Sequence, residues 1–163
     1  MHSFQKLAMA FLSCMISTAV QSQQVGAPAP DFAMETLDNK KLSLGDLKGK
    51  TVCLMTWASW CPHCKASMPY VSAFYEDAKK SGRPFEVVAI AIRDKPDAAR
   101  ATYVERQMPY LTALETPEFE KLYANSRKTP TFVIIGKDGV VKSVSSGRLY
   151  NRAELEKMVA TGE

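Results

Sequence analysis

The stretch Thr51-Val52-Cys53-Leu54-Met55-Thr56-Trp57-Ala58-Ser59-Trp60-Cys61-Pro62-His63-Cys64-Lys65 changes character halfway along. Its first seven residues form a short apolar run, the pattern of a buried strand. Beyond Cys64, the residues Met68, Val71, Phe74, Tyr75 and Ala78 recur at helical spacing. Two cysteines three apart therefore fall where a strand hands over to a helix. Unpaired backbone N–H groups and the positive end of the helix dipole stabilise an anion at that point. Cys61 is expected to be the thiolate, and Cys64, one turn further in and away from solvent, its resolving partner. Pro62 lies in the first turn, where its missing N–H costs no hydrogen bond. A proton on His63 would lower the Cys61 pKa further. A stabilised thiolate makes the disulfide the better oxidant, so Cys-Pro-His-Cys by itself leans oxidising. The plainer alternatives are a structural disulfide or half a zinc site, and adjacent Trp60 and Pro62 argue against both. Cys53, inside the apolar run, reads as a small core residue.

A chain of 163 residues fits one domain with a real core. At its start Lys6 precedes the apolar run Leu7 to Val20, followed by Gln21 and Ser22. Residues 1–22 read as a secretory signal cleaved near Ser22, with an uncleaved membrane anchor as the alternative. Lipid attachment at Cys14 is a weaker option, because Phe11-Leu12-Ser13 matches a lipobox poorly. Removal of the signal would take Lys6 from the 21 basic residues and nothing from the 17 acidic ones, leaving a net charge of +3. It would also take His2 and Cys14, so His63 becomes the only histidine. A zinc site needs about four ligands, so no metal is expected, and no other cofactor is implied. No basic stripe with interleaved aromatics points to nucleic acid. An exported dithiol sits in an oxidising compartment and needs a partner to hold it in its working state.

Residues 23–30 form a Pro/Ala linker without periodicity, mobile or draped on the surface. Asp31 to Leu37 alternates, Asp38-Asn39 turns and Lys40 to Leu44 alternates again, which predicts a hairpin. Gly45 to Gly49 reads as a turn or a single helical turn leading into the central strand. The helix from Cys61 to about Lys80 is interrupted by Pro69, which should kink it. Phe85 to Ile92 is apolar on both faces, as in a buried parallel strand. Pro96 to about Gln107 and Pro117 to Tyr123 read as helices, and Tyr110 to Leu114 as a short strand. Thr131 to Ile135 and Val140 to Ser145 read as a hairpin about Gly136 to Gly139. Asn151, three residues before Glu154, opens a last helix with Leu155, Met158 and Val159 facing inward.

Several of these features belong together. The cysteine stretch, Pro69 eight residues after the first cysteine, Thr129-Pro130-Thr131 before a strand, and Gly147 after the hairpin resemble thioredoxin-fold oxidoreductases. Gly26-Ala27-Pro28-Ala29-Pro30-Asp31-Phe32 and the region from about Asp94 to Thr116 resemble the exported TlpA/ResA-like branch. The resemblance implies an α/β thioredoxin fold over residues 31–163: a central mixed β-sheet flanked by helices, with an N-terminal β-hairpin and a central insertion. It implies that Pro130 is a cis-proline opposite the dithiol, that the Thr129 backbone is offered to an extended substrate segment, and that Trp60, Pro62 and His63 line the same groove. Thioredoxin carries a buried aspartate six residues before the first cysteine, where this chain has Met55. The ResA-like branch points instead to an acid at the end of the next strand, here Asp94, to assist deprotonation of Cys64. An acid between Arg93 and Lys95 is otherwise just an exposed turn residue. Arg127 and Lys128 read as a solvated loop whose field favours acidic partners.

The resemblance implies a thiol-disulfide oxidoreductase of the periplasm or another extracytoplasmic space, monomeric and acting on protein thiols. Its relatives work mainly as reductants fed by a membrane partner, in cytochrome c or metalloprotein maturation. Disulfide donation of the DsbA type is the alternative that Pro62-His63 favours. A Sco-type copper chaperone lacks its distal histidine here, and a peroxiredoxin-like peroxidase lacks its Pro-x-x-x-Thr-x-x-Cys arrangement.

Overall fold

A computed structural model describes residues 23–123, 128–147 and 151–162. The segment read as a signal lies outside the described residues, as does Arg127. Strands β1 (Ala33–Glu35) and β2 (Lys41–Ser43) form the expected N-terminal hairpin, in antiparallel register Met34↔Leu42. Asn39 takes the left-handed conformation its turn requires (φ 61°), which asparagine tolerates better than most residues. Then come β3 (Thr51–Trp57), α1 (Pro62–Lys80), β4 (Phe85–Ala91), α2 (Pro96–Glu105), β5 (Leu111–Leu114) and α3 (Pro117–Leu122). Strands β6 (Thr131–Ile135) and β7 (Val141–Ser146) and helix α4 (Arg152–Ala160) complete the order. The main sheet runs β5-β4-β3-β6-β7, parallel from β5 to β3 and antiparallel from β3 to β7. This is the thioredoxin fold, with α2 and β5 as the central insertion.

Period-two alternation along β3 builds two cores from one strand. Cys53, Met55 and Trp57 face Met68, Val71 and Phe74 of α1 and Leu155 and Val159 of α4. Val52 and Leu54 face Phe32 and Leu42 of the N-terminal segment and Phe119 and Tyr123 around α3. Leu54 is fully buried there, worth about 2 kcal/mol of transfer free energy. The three rings of Phe32, Phe119 and Tyr123 pack on one another, two contacts edge to face and one stacked.

The N-terminal segment touches both edges of the sheet, limiting the backbone left open for edge pairing. Residues 23–30, read as a linker, lie across the start of β7 and the turn before it: Gly26 N–H donates to Val141 O at 2.8 Å, and Ala29 N–H to Gly139 O at 2.9 Å. Gln23 is buried and its amide donates to Leu122 O. On the other edge, Leu37 N–H donates to Thr112 O at 2.7 Å, tying the hairpin to β5. The apolar reading of β4 overlooked Glu86, which is buried at the end of the sheet remote from Cys61. Lys79 Nζ stands 2.8 Å from its carboxylate and Lys50 Nζ 3.8 Å, so the buried charge is paired.

Helix α1 runs as one element through Pro69, which offers no N–H to the turn before it. The Asn151 side chain accepts from Glu154 N–H at 3.0 Å and caps α4 as its sequence indicates. Cys53 lies in the core of β3, and burial pushes its thiol up to about 12. Burial therefore keeps this thiol protonated and unreactive at mildly alkaline pH. Iodoacetamide at pH 8 is therefore expected to modify Cys61 in the reduced native protein and leave Cys53 intact by peptide mapping; alkylation of Cys53 without denaturant would contradict this packing.

Candidate active site

The carboxyl end of β3 aims the chain at the site. Trp57 closes the strand, fully buried, and Ile92 N–H donates to its carbonyl at 2.9 Å. Ala58 to Cys61 then turns, with Cys61 N–H donating to Ala58 O at 3.1 Å. Cys61 has extended backbone angles (φ −90°, ψ 110°) and is the N-cap of α1. Its Sγ accepts the Cys64 N–H at 3.2 Å, occupying the position of a capping oxygen. Pro62 follows at the first helical position.

Cys61 and Cys64 are joined as a disulfide, with Cα atoms 5.3 Å apart. The two sulfurs are not equivalent. Cys61 keeps 3% exposure and Cys64 none. Cys64 is sealed among the apolar side chains of the α1-facing core, which include Met55. Pro62 and His63 are exposed on the outer surface of the first turn, and the His63 carbonyl accepts from Ser67 Oγ at 2.8 Å.

The antiparallel register Thr56↔Thr131 brings the residue before β6 to the same end of the sheet as Ala58. That residue is Pro130, and the Thr129–Pro130 peptide is cis, as the resemblance implied. Thr131 Oγ1 donates to Lys128 O at 2.6 Å and lies 2.8 Å from Ser146 Oγ. Thr56 Oγ1 reaches the same Lys128 carbonyl at 3.3 Å, and Gly147 N–H donates to Pro130 O at 2.9 Å. The loop is thus held from both neighbouring strands. Thr129 itself is half-buried, and its backbone N–H and carbonyl bond to no described residue.

Asp94 stands at the head of the β4–α2 connection, half-buried. Its carboxylate accepts from Ser59 N–H, from Ser59 Oγ at 2.7 Å and from Lys95 N–H at 2.9 Å. No hydrogen bond joins it to Cys64 among the described residues. Trp60 is 56% exposed; its Nε1 donates to Arg93 O at 3.2 Å, and the Arg93 guanidinium lies 5.9 Å from the ring centroid. Neither Ser59 nor Arg93 stood out in the sequence, and neither did the paired threonines 56 and 131. A hydroxyl directly before Trp60-Cys61 was the one signal available.

The redoxin family model matches residues 24–159. The chain is 33% identical over 122 residues to the thiol-disulfide oxidoreductase ResA of Bacillus anthracis, covering 74% of this chain and 69% of that one. It is 30% identical over 129 residues to ResA of Bacillus subtilis strain 168, covering 79% and 71%. Among solved structures it is similar to a thiol:disulfide interchange protein of Chlorobium tepidum TLS, with TM-score 0.76, 25% identity and coverage of 84% and 96%. A cysteine pair at a helix start, a cis-proline across from it and a family match spanning both make one assignment: this chain belongs to the redoxin family, as a thiol-disulfide oxidoreductase of the TlpA/ResA-like branch.

Proposed function

We propose that the protein is an exported reductant of protein disulfides, recharged by a membrane dithiol partner and serving cytochrome c or metalloprotein maturation. Residues 1–22 direct export or anchor the chain, and the domain of residues 31–163 works as a monomer. In the reduced form, Cys61 thiolate attacks one sulfur of a substrate disulfide; that S–S bond breaks and the other substrate sulfur leaves as a thiolate. Cys64 then loses its proton and attacks Cys61 Sγ. The mixed disulfide breaks, the second substrate sulfur leaves, and Cys61–Cys64 closes with two electrons passed to the substrate. The membrane partner's dithiol reverses the last bond and restores the pair.

The observation that carries this reading is the unequal burial of the two sulfurs beside a stretch of open backbone. Cys61 borders the surface, Cys64 is enclosed, and the Thr129 N–H and carbonyl, next to cis-Pro130, bond to none of the described residues. An extended substrate strand can pair with Thr129 while its sulfur meets Cys61, with Trp60, Pro62 and His63 as the opposite wall. Among the described residues no helix is long and apolar enough to cross a membrane, so anchoring falls to the N-terminal segment in this reading.

Disulfide donation is the second reading, favoured by exposed His63 beside the capping sulfur. Direction is read from the equilibrium with glutathione. A potential below about −220 mV is expected for a reductant, and a value above it transfers the assignment to disulfide donation. Cys64→Ser is expected to accumulate a covalent Cys61–substrate adduct that survives non-reducing electrophoresis, whereas Cys61→Ser should form none. An adduct on Cys64 in the Cys61→Ser protein would reverse the assigned roles.

A further inference from the structure

Residues 92–94, at the end of β4, are stitched to residues 57–60 one by one. Ile92 N–H bonds to Trp57 O, the Arg93 carbonyl accepts from the Trp60 indole, and the Asp94 carboxylate accepts twice from Ser59. Ala58, Ser59 and Trp60 separate the end of the sheet from Cys61, and the last two carry these side-chain contacts. Their placement cannot come from the strand ladder, because β3 ends at Trp57. Burial does little for Trp60, which is 56% exposed. Besides the Cys61 N–H to Ala58 O turn bond, the contacts to Arg93 and Asp94 hold these two residues.

Arg93 shows how far the connection is committed to this contact. Its φ of 50° lies in the left-handed region, which an arginine adopts only when its surroundings impose it. That conformation is held by Glu115, whose carboxylate accepts the Arg93 N–H, and Glu115 N–H in turn donates to Ala91 O at 2.9 Å. The result turns both the carbonyl and the guanidinium of Arg93 towards the indole of Trp60. Asp94 meanwhile uses three of the roughly four acceptor positions of its carboxylate on Ser59 and Lys95. A carboxylate so occupied is built to hold a turn.

We propose that Asp94 is a positioning residue that clasps the Ser59 turn, and that with Arg93 it fixes Trp60 as the wall of the groove selecting which protein disulfides reach Cys61. The proposal rests on the exchange reading above for its substrate, and on the Ser59–Asp94 geometry alone for the clasp. The recognised partner is an extended segment with an apolar side chain next to its cysteine, able to lie on the Trp60 face.

The test uses Asp94→Asn, Ser59→Ala and Ser59→Thr in the full chain. Steady-state reduction of a peptide with one intramolecular disulfide and an adjacent leucine is followed with dithiothreitol as electron source. Acrylamide quenching of tryptophan emission is measured in parallel. Asp94→Asn should raise KM about fivefold, the scale of one lost charge-assisted hydrogen bond, with kcat much less affected. It should also make the Trp60 emission more quenchable and leave the midpoint of the pH–rate profile in place. Ser59→Ala should reproduce both changes in smaller measure, and Ser59→Thr, which keeps the hydroxyl, should restore them. Unchanged quenching and KM in Asp94→Asn would overturn the proposal, as would a shifted pH midpoint with KM unaltered, which would make Asp94 a proton acceptor for Cys64. If even the unsubstituted protein reduces no peptide disulfide, the exchange reading fails; the quenching series still decides the clasp.

Discussion

Everything at this site depends on a single contact, the Cys64 N–H pointing at Cys61 Sγ across the first turn of α1. A helix leaves its first N–H groups without partners, and some acceptor must approach them. In most helices that acceptor is a side-chain oxygen, and here it is a sulfur that must also do chemistry. The demand of the helix for an acceptor and the demand of the thiolate for a donor are met by the same bond. Ionised sulfur is the stronger acceptor, so the helix end favours a thiolate at Cys61 in the reduced protein.

The rest of the fold serves to deliver this contact at a surface. Strand β3 runs through the middle of the sheet with both faces buried, so its carboxyl end is fixed by neighbours on both sides. Four residues later the chain enters α1, which packs back on the same sheet. Pairing of β3 with β6 brings cis-Pro130 to this end, and parallel pairing of β3 with β4 brings Arg93 and Asp94 there too. Three loops from three neighbouring strands thus meet at the end of the sheet where α1 begins. The opposite end of the sheet carries the Glu86 ion pairs and the turns, and does no redox work in this account.

How much of this was legible in the sequence follows from the range of each interaction. The strand-to-helix handover, the dithiol and the capped last helix depend on neighbours a few residues apart, and local pattern revealed them. Cis-Pro130 depends on a partner strand some seventy residues earlier, so only the likeness to a family placed it. Asp94 was legible as an acid at the end of β4, but its hydrogen bonds to Ser59 were not. An acid at a strand end can reach the buried sulfur or the turn before it, and which one it meets is decided by the left-handed turn at Arg93, which no local pattern announces. Glu86 was lost because one acid among β-branched residues does not disturb an apolar run. The segment from Gln23 to Pro30 looked like a linker because its contacts to β7 run through backbone groups, which sequence composition does not display.

If the start of α1 favours an ionised Cys61 and the core a neutral Cys64, the thiolate absorbance of the reduced protein will show it when followed against pH in Cys64→Ser and Cys61→Ser. Cys61 is expected to titrate below the ordinary cysteine value of about 8.5 and Cys64 above it. Cys61 titrating at or above that value, or Cys64 below Cys61, would contradict it.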